Sequence, residues 1–252
     1  MKNEELITRR QILLAGITSV GGLLLSGCSK NLPPTYGNVL RMADTFTYSA
    51  HRVLLPGESL VKEYSHRDIS SFPATGTTNP CDPNKPRPNQ IYGELQRNNF
   101  ADWRISVEGL VQKPGSYSLA DLKRLPSRTQ ITRHTCEEGW SAIAEWTGVP
   151  LSRVLESAGM LPNARFVSLY SYDEWDDCID MFDALHPQTI LAYGMNGRDL
   201  TIPHGAPIRL RLERQLGYKS MKYLQRIVVR EDFNDGGLNG SIQNGWAWYV
   251  GI

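Results

Sequence analysis

Cysteine is scarce in this chain: four residues in 252. None forms a Cys-x-x-Cys pair, so zinc-finger, iron–sulfur and covalent-haem readings fail. Charge of one sign is also missing. Twenty-seven basic residues face 26 acidic ones, for a net charge of +1. With no acidic or basic tail, a nucleic-acid partner is not expected. There is no internal repeat, and the apolar run Ile12 to Leu25 is short for a membrane span. What is present is ordinary globular composition, 40% hydrophobic and 21% charged. The length allows one large or two modest domains with a real core. Fifteen prolines and 22 glycines argue for a loop-rich, β-containing fold over a helical bundle.

Residues 1–28 read as an address and not as fold. Thr8-Arg9-Arg10-Gln11-Ile12-Leu13 sets two arginines before the apolar run, in the manner of a twin-arginine export signal. Leu25-Ser26-Gly27-Cys28 closes it like a lipobox, with Cys28 the lipidated mature N-terminus; an uncleaved amphipathic anchor is the alternative. The twin-arginine route carries folded proteins, which suits a cofactor inserted in the cytoplasm. The expected destination is the periplasmic face of a membrane, with Ser29 leaving inner or outer membrane open. Loss of Lys2, Arg9, Arg10, Glu4 and Glu5 leaves a formally neutral body. Several acyl chains hold such a body firmly where one would not.

Residues 29–69 read as a tether and N-terminal extension, and 70–89 as an irregular proline-pinned loop. Trp103 to Leu110 alternates like a half-buried strand. Ser118-Leu119-Ala120-Asp121 predicts a capping box and a short helix to Leu125. Thr129 to Thr132 predicts a strand leading to Cys136. Pro150 to Gly159 predicts an amphipathic helix with proline at its start and glycine past its end. Strands are expected at Arg165–Tyr170, His204–Leu212 and Tyr223–Arg230, with a hairpin turning at Asn196-Gly197. The fold class is α+β, strand-rich, with one catalytic domain over 70–232 and a glycine-rich tail over 233–252 packed on it.

Cys136 sits in Arg133-His134-Thr135-Cys136-Glu137-Glu138-Gly139-Trp140-Ser141. Taken alone it reads first as a buried free cysteine. A nucleophile reading lacks a placed base, since His134 is only two residues away. Arg133 would favour a thiolate, and a thiolate suits a soft metal. His134 reads as structural or surface, and Trp140 as core or pocket wall. Gly217 to Lys222 offers backbone N–H groups, a hydroxyl and cations to a phosphate, although a solvated loop would look the same. Cys81 and Cys178 are left over, and their pairing in an oxidising compartment stays open.

The segment around Cys136 is similar to the Arg-x-x-Cys-x-Glu-x-Trp-Ser of the periplasmic methionine sulfoxide reductase catalytic subunits. His186-Pro187 with Thr189, Gly205 to Leu210, and Gly217-Tyr218-Lys219 with Lys222 follow in the order that group shows. Over residues 70 to 230 the chain thus resembles the sulfite-oxidase-type molybdopterin-binding domain. The resemblance implies a sulfite-oxidase-like fold holding molybdenum–molybdopterin, with no haem, iron–sulfur cluster or flavin in this chain. It implies Cys136 as the protein ligand to molybdenum, with Arg133 and Glu138 as catalytic companions. It assigns cofactor contacts to Arg209, Ser220, Met221 and Lys222, and to Ser171 and His204, which stand where the family has threonine and asparagine. Ser70 and Thr75 belong to a loop matching the family only at Phe72 and Gly76. The implied activity is two-electron oxygen-atom transfer in the cell envelope. Its substrate is a small oxo compound, first a sulfoxide or N-oxide. Electrons come from a separate partner such as a membrane haem or quinone-linked protein. Glu137 and Glu138 beside the thiol oppose sulfite, a dianion. Sulfite dehydrogenation and a cofactor-free envelope binding module are the alternatives.

Overall fold

The structure is a computed structural model that describes residues 42–55, 57, 59–234 and 237–252. The expectations for the export signal, Cys28 and the tether's start fall outside those residues. In chain order the elements are α1 (Met42–Leu54), α2 (Gln90–Arg97), β1 (Arg104–Gly109), β2 (Gly115–Ser118), α3 (Leu119–Arg124), β3 (Arg128–Thr135), β4 (Ser141–Pro150) and α4 (Leu151–Ala158). They continue as β5 (Phe166–Ser171), β6 (Asp177–Asp180), α5 (Met181–Ala184), β7 (Ile190–Met195), β8 (Arg198–Asp199), β9 (Arg209–Arg211) and β10 (Leu224–Arg230).

The strands form two five-stranded sheets. One has the order β2-β1-β10-β5-β6, and only its β1–β10 pairing is parallel. The other runs β3-β4-β7-β8, with β9 paired to β7, all antiparallel. The main core draws Ile105, Val107, Leu169 and Ile227 from the first sheet and Val149, Leu191 and Leu210 from the second, with Val154 and Leu155 of α4. This is the expected α+β architecture. A smaller cluster around Trp146, Ile190 and Ala206 takes in Phe72 from the proline-rich loop, which ties that loop to the second sheet.

The elements form where local chemistry is strongest. Ser118 Oγ accepts the Asp121 amide at 3.1 Å while Asp121 accepts the Ser118 amide at 2.9 Å, so α3 opens on a complete capping box. The amphipathic α4 ends at Gly159 in the left-handed region. Asn196 and Gly197, both at positive φ, turn β7 into β8. The strand expected from His204 to Leu212 shrinks to β9. Gly205 (φ 102) and Pro207 interrupt it, and its first residue His204 closes the 3-10 turn Ile202–His204 instead.

Part of the expected tether and extension is the helix α1. Its inward side is Tyr48, His51 and Arg52, so it lacks the apolar stripe that would announce a docked helix. Arg52 reaches Asp180 at 2.8 Å and Asp183 at 3.3 Å. Tyr48 packs against Trp248 and Tyr249 of the C-terminal segment at ring-centroid distances of 4.9 and 5.2 Å. Cys81 and Cys178 are both free thiols: Cys178 is buried in β6, and Cys81 bonds to Asn79 and Gln96.

Candidate functional site

A cleft of about 380 Å³ opens where the end of β3, the loop after β9 and the proline-rich loop meet. Cys136 lines it, 5% exposed, in the tight turn from β3 to β4. Its amide donates to Trp140 O at 2.9 Å, and the Gly139 amide donates back to Cys136 O at 3.1 Å. Burial pushes the Cys136 thiol up, and the Glu137 and Glu138 carboxylates push the same way. The expected help from Arg133 is absent, which corrects that reading. Alternation along β3 sends Arg133 to solvent, over the Tyr64 ring at 5.4 Å, and turns His134 into the cleft. A thiolate at Cys136 therefore needs a cation delivered by the ligand itself.

Two cations line the same cleft. Arg209 of β9 is 5% exposed and donates Nη1 to His204 O at 3.1 Å and Nη2 to Ser220 O at 2.7 Å. Its Nε has no partner. Lys222 donates Nζ to the carbonyls of Thr75, Thr77 and Pro203. Burial lowers Arg209 to about 9, and the neighbouring Arg211 adds to it. Burial and then Arg209 lower Lys222 to about 8, opposed by Asp173. Gly205 makes this closeness feasible: a Cβ there, at φ 102, would stand 2.9 Å from the Lys222 side chain and 3.2 Å from Arg209.

An anion seated between these cations would relieve both. The donor set thus fits a ligand with a negatively charged end and a metal at the other. No cluster of three or more His, Cys, Asp or Glu side chains able to hold a metal occurs among the described residues. A metal carried in its own organic chelate, and needing one protein thiolate, suits this lining.

The depressed lysine makes a prediction. Its folded-state value lies below its unfolded value of about 10.5. Between the two, the unfolded chain holds more protons, so Lys222 adds stability as pH rises. In the cofactor-free protein, unfolding free energies of wild type and Lys222→Met, measured from pH 8 to 10, should diverge in favour of wild type. A constant difference would show that Lys222 carries an ordinary ammonium.

The remaining expected residues divide. Thr75 lines the cleft through the strand of backbone that holds Lys222. Met221 and Ser220 line it too. Ser220 Oγ accepts the Leu212 amide at 3.1 Å and keeps its own O–H to donate. His204 lines the cleft as part of its 3-10 turn. Its Nε2 donates to Phe72 O at 3.2 Å and its Nδ1 accepts from Thr201 Oγ1 at 2.9 Å. Glu138 is exposed at the lip, where it accepts from Trp140 Nε1 at 3.1 Å.

Ser70 and Ser171 are corrections. Ser70 is exposed outside the cleft and exchanges hydrogen bonds of 3.0 Å with Ile143 of β4. Ser171 lies buried, with Oγ donating to Trp175 O at 2.5 Å and accepting the Trp175 amide at 3.1 Å, and so closes the turn 173–175. That hydroxyl is used within the turn, where Asp173 Oδ1 also stands 2.6 Å from it.

Sequence reasoning missed His134, Asp173 and Trp246. Arg211 Nη1 donates to His134 Nδ1 at 2.7 Å, and Arg211 also pairs with Glu213 at 2.7 Å. Burial and the two arginines lower His134 to about 2. The ring is therefore neutral, with its proton on Nε2, against which Gly217 is seated; a Cβ on Gly217 would stand 2.5 Å from it. The signal for His134 was available in the alternation of β3. None pointed to Asp173 or to Trp246, which arrives from the C-terminal segment.

Residues 92–237 match the family described as oxidoreductase molybdopterin binding domain. A putative protein-methionine-sulfoxide reductase subunit, YedZ1, of Azospira oryzae is 32% identical over 98% of this chain and 89% of its own length. The protein-methionine-sulfoxide reductase catalytic subunit MsrP of Ralstonia nicotianae is 32% identical over 60% of this chain and 50% of its own. The chain spans about half the length of the catalytic-subunit relatives it matches. Among solved structures, the sulfane dehydrogenase SoxCD of Paracoccus pantotrophus superposes with a TM-score of 0.51 at 25% identity. That match covers 53% of this chain and 39% of that one.

Proposed function

The chain belongs to the oxidoreductase molybdopterin binding domain family, and from that premise we propose that it is a molybdenum–molybdopterin oxidoreductase that reduces a sulfoxide. The observation that carries the proposal is the pairing, in one cleft, of a lone thiol with buried Arg209, which has no salt-bridge partner among the described residues, and half-buried Lys222, held by three backbone carbonyls. The group supplies two-electron oxygen-atom transfer when bound: sulfoxide, two electrons and two protons give sulfide and water. Cys136 ligates the metal. Arg209 and Lys222, which both line the cleft, would take the phosphate end. Ser220 adds a hydroxyl donor. Glu138, held by Trp140 and open to solvent, collects protons from water and passes them inward. Phe72 and Trp140, packed edge to face at 5.7 Å, exclude water on that side.

The carboxylates Glu137 and Glu138 favour a neutral sulfoxide over an anionic oxo substrate. On the same proposal the chain leaves the cytoplasm folded, by the arginine pair Arg9-Arg10, and a lipid on Cys28 holds it at the periplasmic face. Electrons then come from a separate membrane protein, haem-bearing or quinone-linked. The support for these placements is the N-terminal sequence and the absence of any second redox motif in the chain.

The test is metal and pterin analysis of the exported protein, followed by turnover with a reduced viologen dye as electron donor. About one molybdenum per chain and sulfoxide consumption are expected. Rapid sulfite oxidation would overturn the substrate assignment. Metal-free protein from a host that makes the cofactor would favour a binding module on this fold.

A further inference from the structure

Three glutamates line the cleft: Glu138, already given a proton-carrying role, Glu137 beside it, and Glu174 in the turn 173–175. Glu138 and Glu174 are exposed, so they stand at the mouth. Among the described residues, the cationic side chains lining the cleft are buried Arg209 and half-buried Lys222. Asp173 faces Lys222, and His134 and His204 are both held toward the neutral form by burial. Of the cations just behind the lining, Arg211 is paired with Glu213 at 2.7 Å and Lys85 donates to Thr77 Oγ1 at 3.1 Å. That the cleft receives a ligand does not rest on these carboxylates: Arg209, 5% exposed, lines it with no salt-bridge partner among the described residues and with its Nε unbonded.

Charge then decides what enters. With a phosphate-bearing cofactor bound, Arg209 and Lys222 would be neutralised, and the field left at the mouth would be that of the glutamates. Glu174 is presented there by strained backbone, a non-glycine residue at φ 64. The Ser171 hydroxyl clamps both the N–H and the C=O of Trp175 and so holds that turn. Beside it stands an aromatic wall. Trp246 lies 5.1 Å from Tyr218 and 6.3 Å from Trp175, ring centroid to centroid. Trp246 comes from the segment beyond the family match, which ends at residue 237. Aromatic faces beside carboxylates suit both a sulfur-bearing chain and an ammonium or guanidinium stem.

We infer that the mouth selects a sulfoxide carried on a positively charged chain, namely methionine sulfoxide flanked by lysine or arginine in a polypeptide. This rests on the sulfoxide-reductase reading and adds the charge of the substrate to it.

The test uses the molybdenum-loaded full chain with reduced viologen and two peptides of equal length. Each carries a central methionine sulfoxide, flanked by lysines in one and by aspartates in the other; a small dialkyl sulfoxide is the reference. At low salt kcat/KM should favour the lysine peptide by about tenfold, from several partly screened charge pairs. The preference should shrink as salt is raised. Glu174→Gln should cut the ratio about threefold. Equal turnover of the two peptides, with the dialkyl sulfoxide reduced, would overturn the inference alone. No reduction of any sulfoxide would overturn it together with the reading beneath it.

Discussion

Cys136→Ser is expected to remove turnover with the fold intact. The loss should exceed the ~100-fold that removal of a mere supporting partner costs at a metal site, because a ligand itself is gone. A serine hydroxyl stays protonated where the metal wants a soft, charged donor. The structural cost should be small, on the order of 1 kcal/mol, because the two side chains are close in size and the turn is held by backbone bonds to Trp140 and Gly139. Metal content discriminates further. Arg209 and Lys222 are untouched, so some pterin should copurify while bound molybdenum falls. If Cys136 were a nucleophile, the variant would lose activity with its metal content unchanged. Burial and two neighbouring carboxylates raise that thiol, which is the wrong direction for a nucleophile. Circular dichroism and thermal unfolding alongside metal analysis separate these outcomes.

The parts of the fold that sequence made legible are those where one local rule acts alone. The capping box at Ser118, the proline-to-glycine span of α4, the Asn196-Gly197 turn and the alternation of β1 and β10 all needed no tertiary information. β4 was hidden because Ala142, Ala144 and Trp146 alternate with Ile143, Glu145 and Thr147, an inward face of small residues and one tryptophan. It is recognisable only once β3 pairs with it. Helix α1 was hidden because an ion pair and aromatic rings dock it in place of an apolar stripe. In the site, residue types were legible before directions. The segment around Cys136 marked the right turn, yet the choice between Arg133 and His134 depended on which face of β3 looks into the cleft. Ser70 and Ser171 have the right chemistry for a cofactor contact, but Ser70 lies outside the cleft against Ile143 of β4, and the Ser171 hydroxyl is held within the turn 173–175 by Asp173 and Trp175. Asp173, Glu174 and Trp246 come from two separate loops, and only folding brings them to one opening.

Two lysines three residues apart should respond differently to the same substitution, one in stability and the other in cofactor retention. Lys219 is 0% exposed and pairs with Asp177, itself 1% exposed, at 2.6 Å. Its Nζ also donates to Cys178 O at 3.2 Å, and Ser241 Oγ donates to the same carboxylate oxygen at 3.1 Å. Lys219→Met leaves the Asp177 charge buried with no counter-ion, which costs about 3–5 kcal/mol. The midpoint of urea unfolding should fall steeply with little change in slope. Substituting Asp177 as well, by an apolar residue of similar size, should recover much of that loss, because the pair's attraction is largely offset by its desolvation. Lys222→Met removes a cation that three carbonyls hold at the cleft wall. It should cost only about 1–3 kcal/mol, the penalty of leaving buried acceptors unpaired. Cofactor retention should fall about 10–100-fold, the scale seen when a supporting contact at a metal site is lost. Equal effects of the two substitutions on unfolding would mean that Lys219 and Lys222 share one role in this loop. The 3-10 turn Gly217–Lys219 argues otherwise: it turns the first lysine into the core between β6 and the C-terminal segment, and lets the chain emerge at Lys222 facing the cleft.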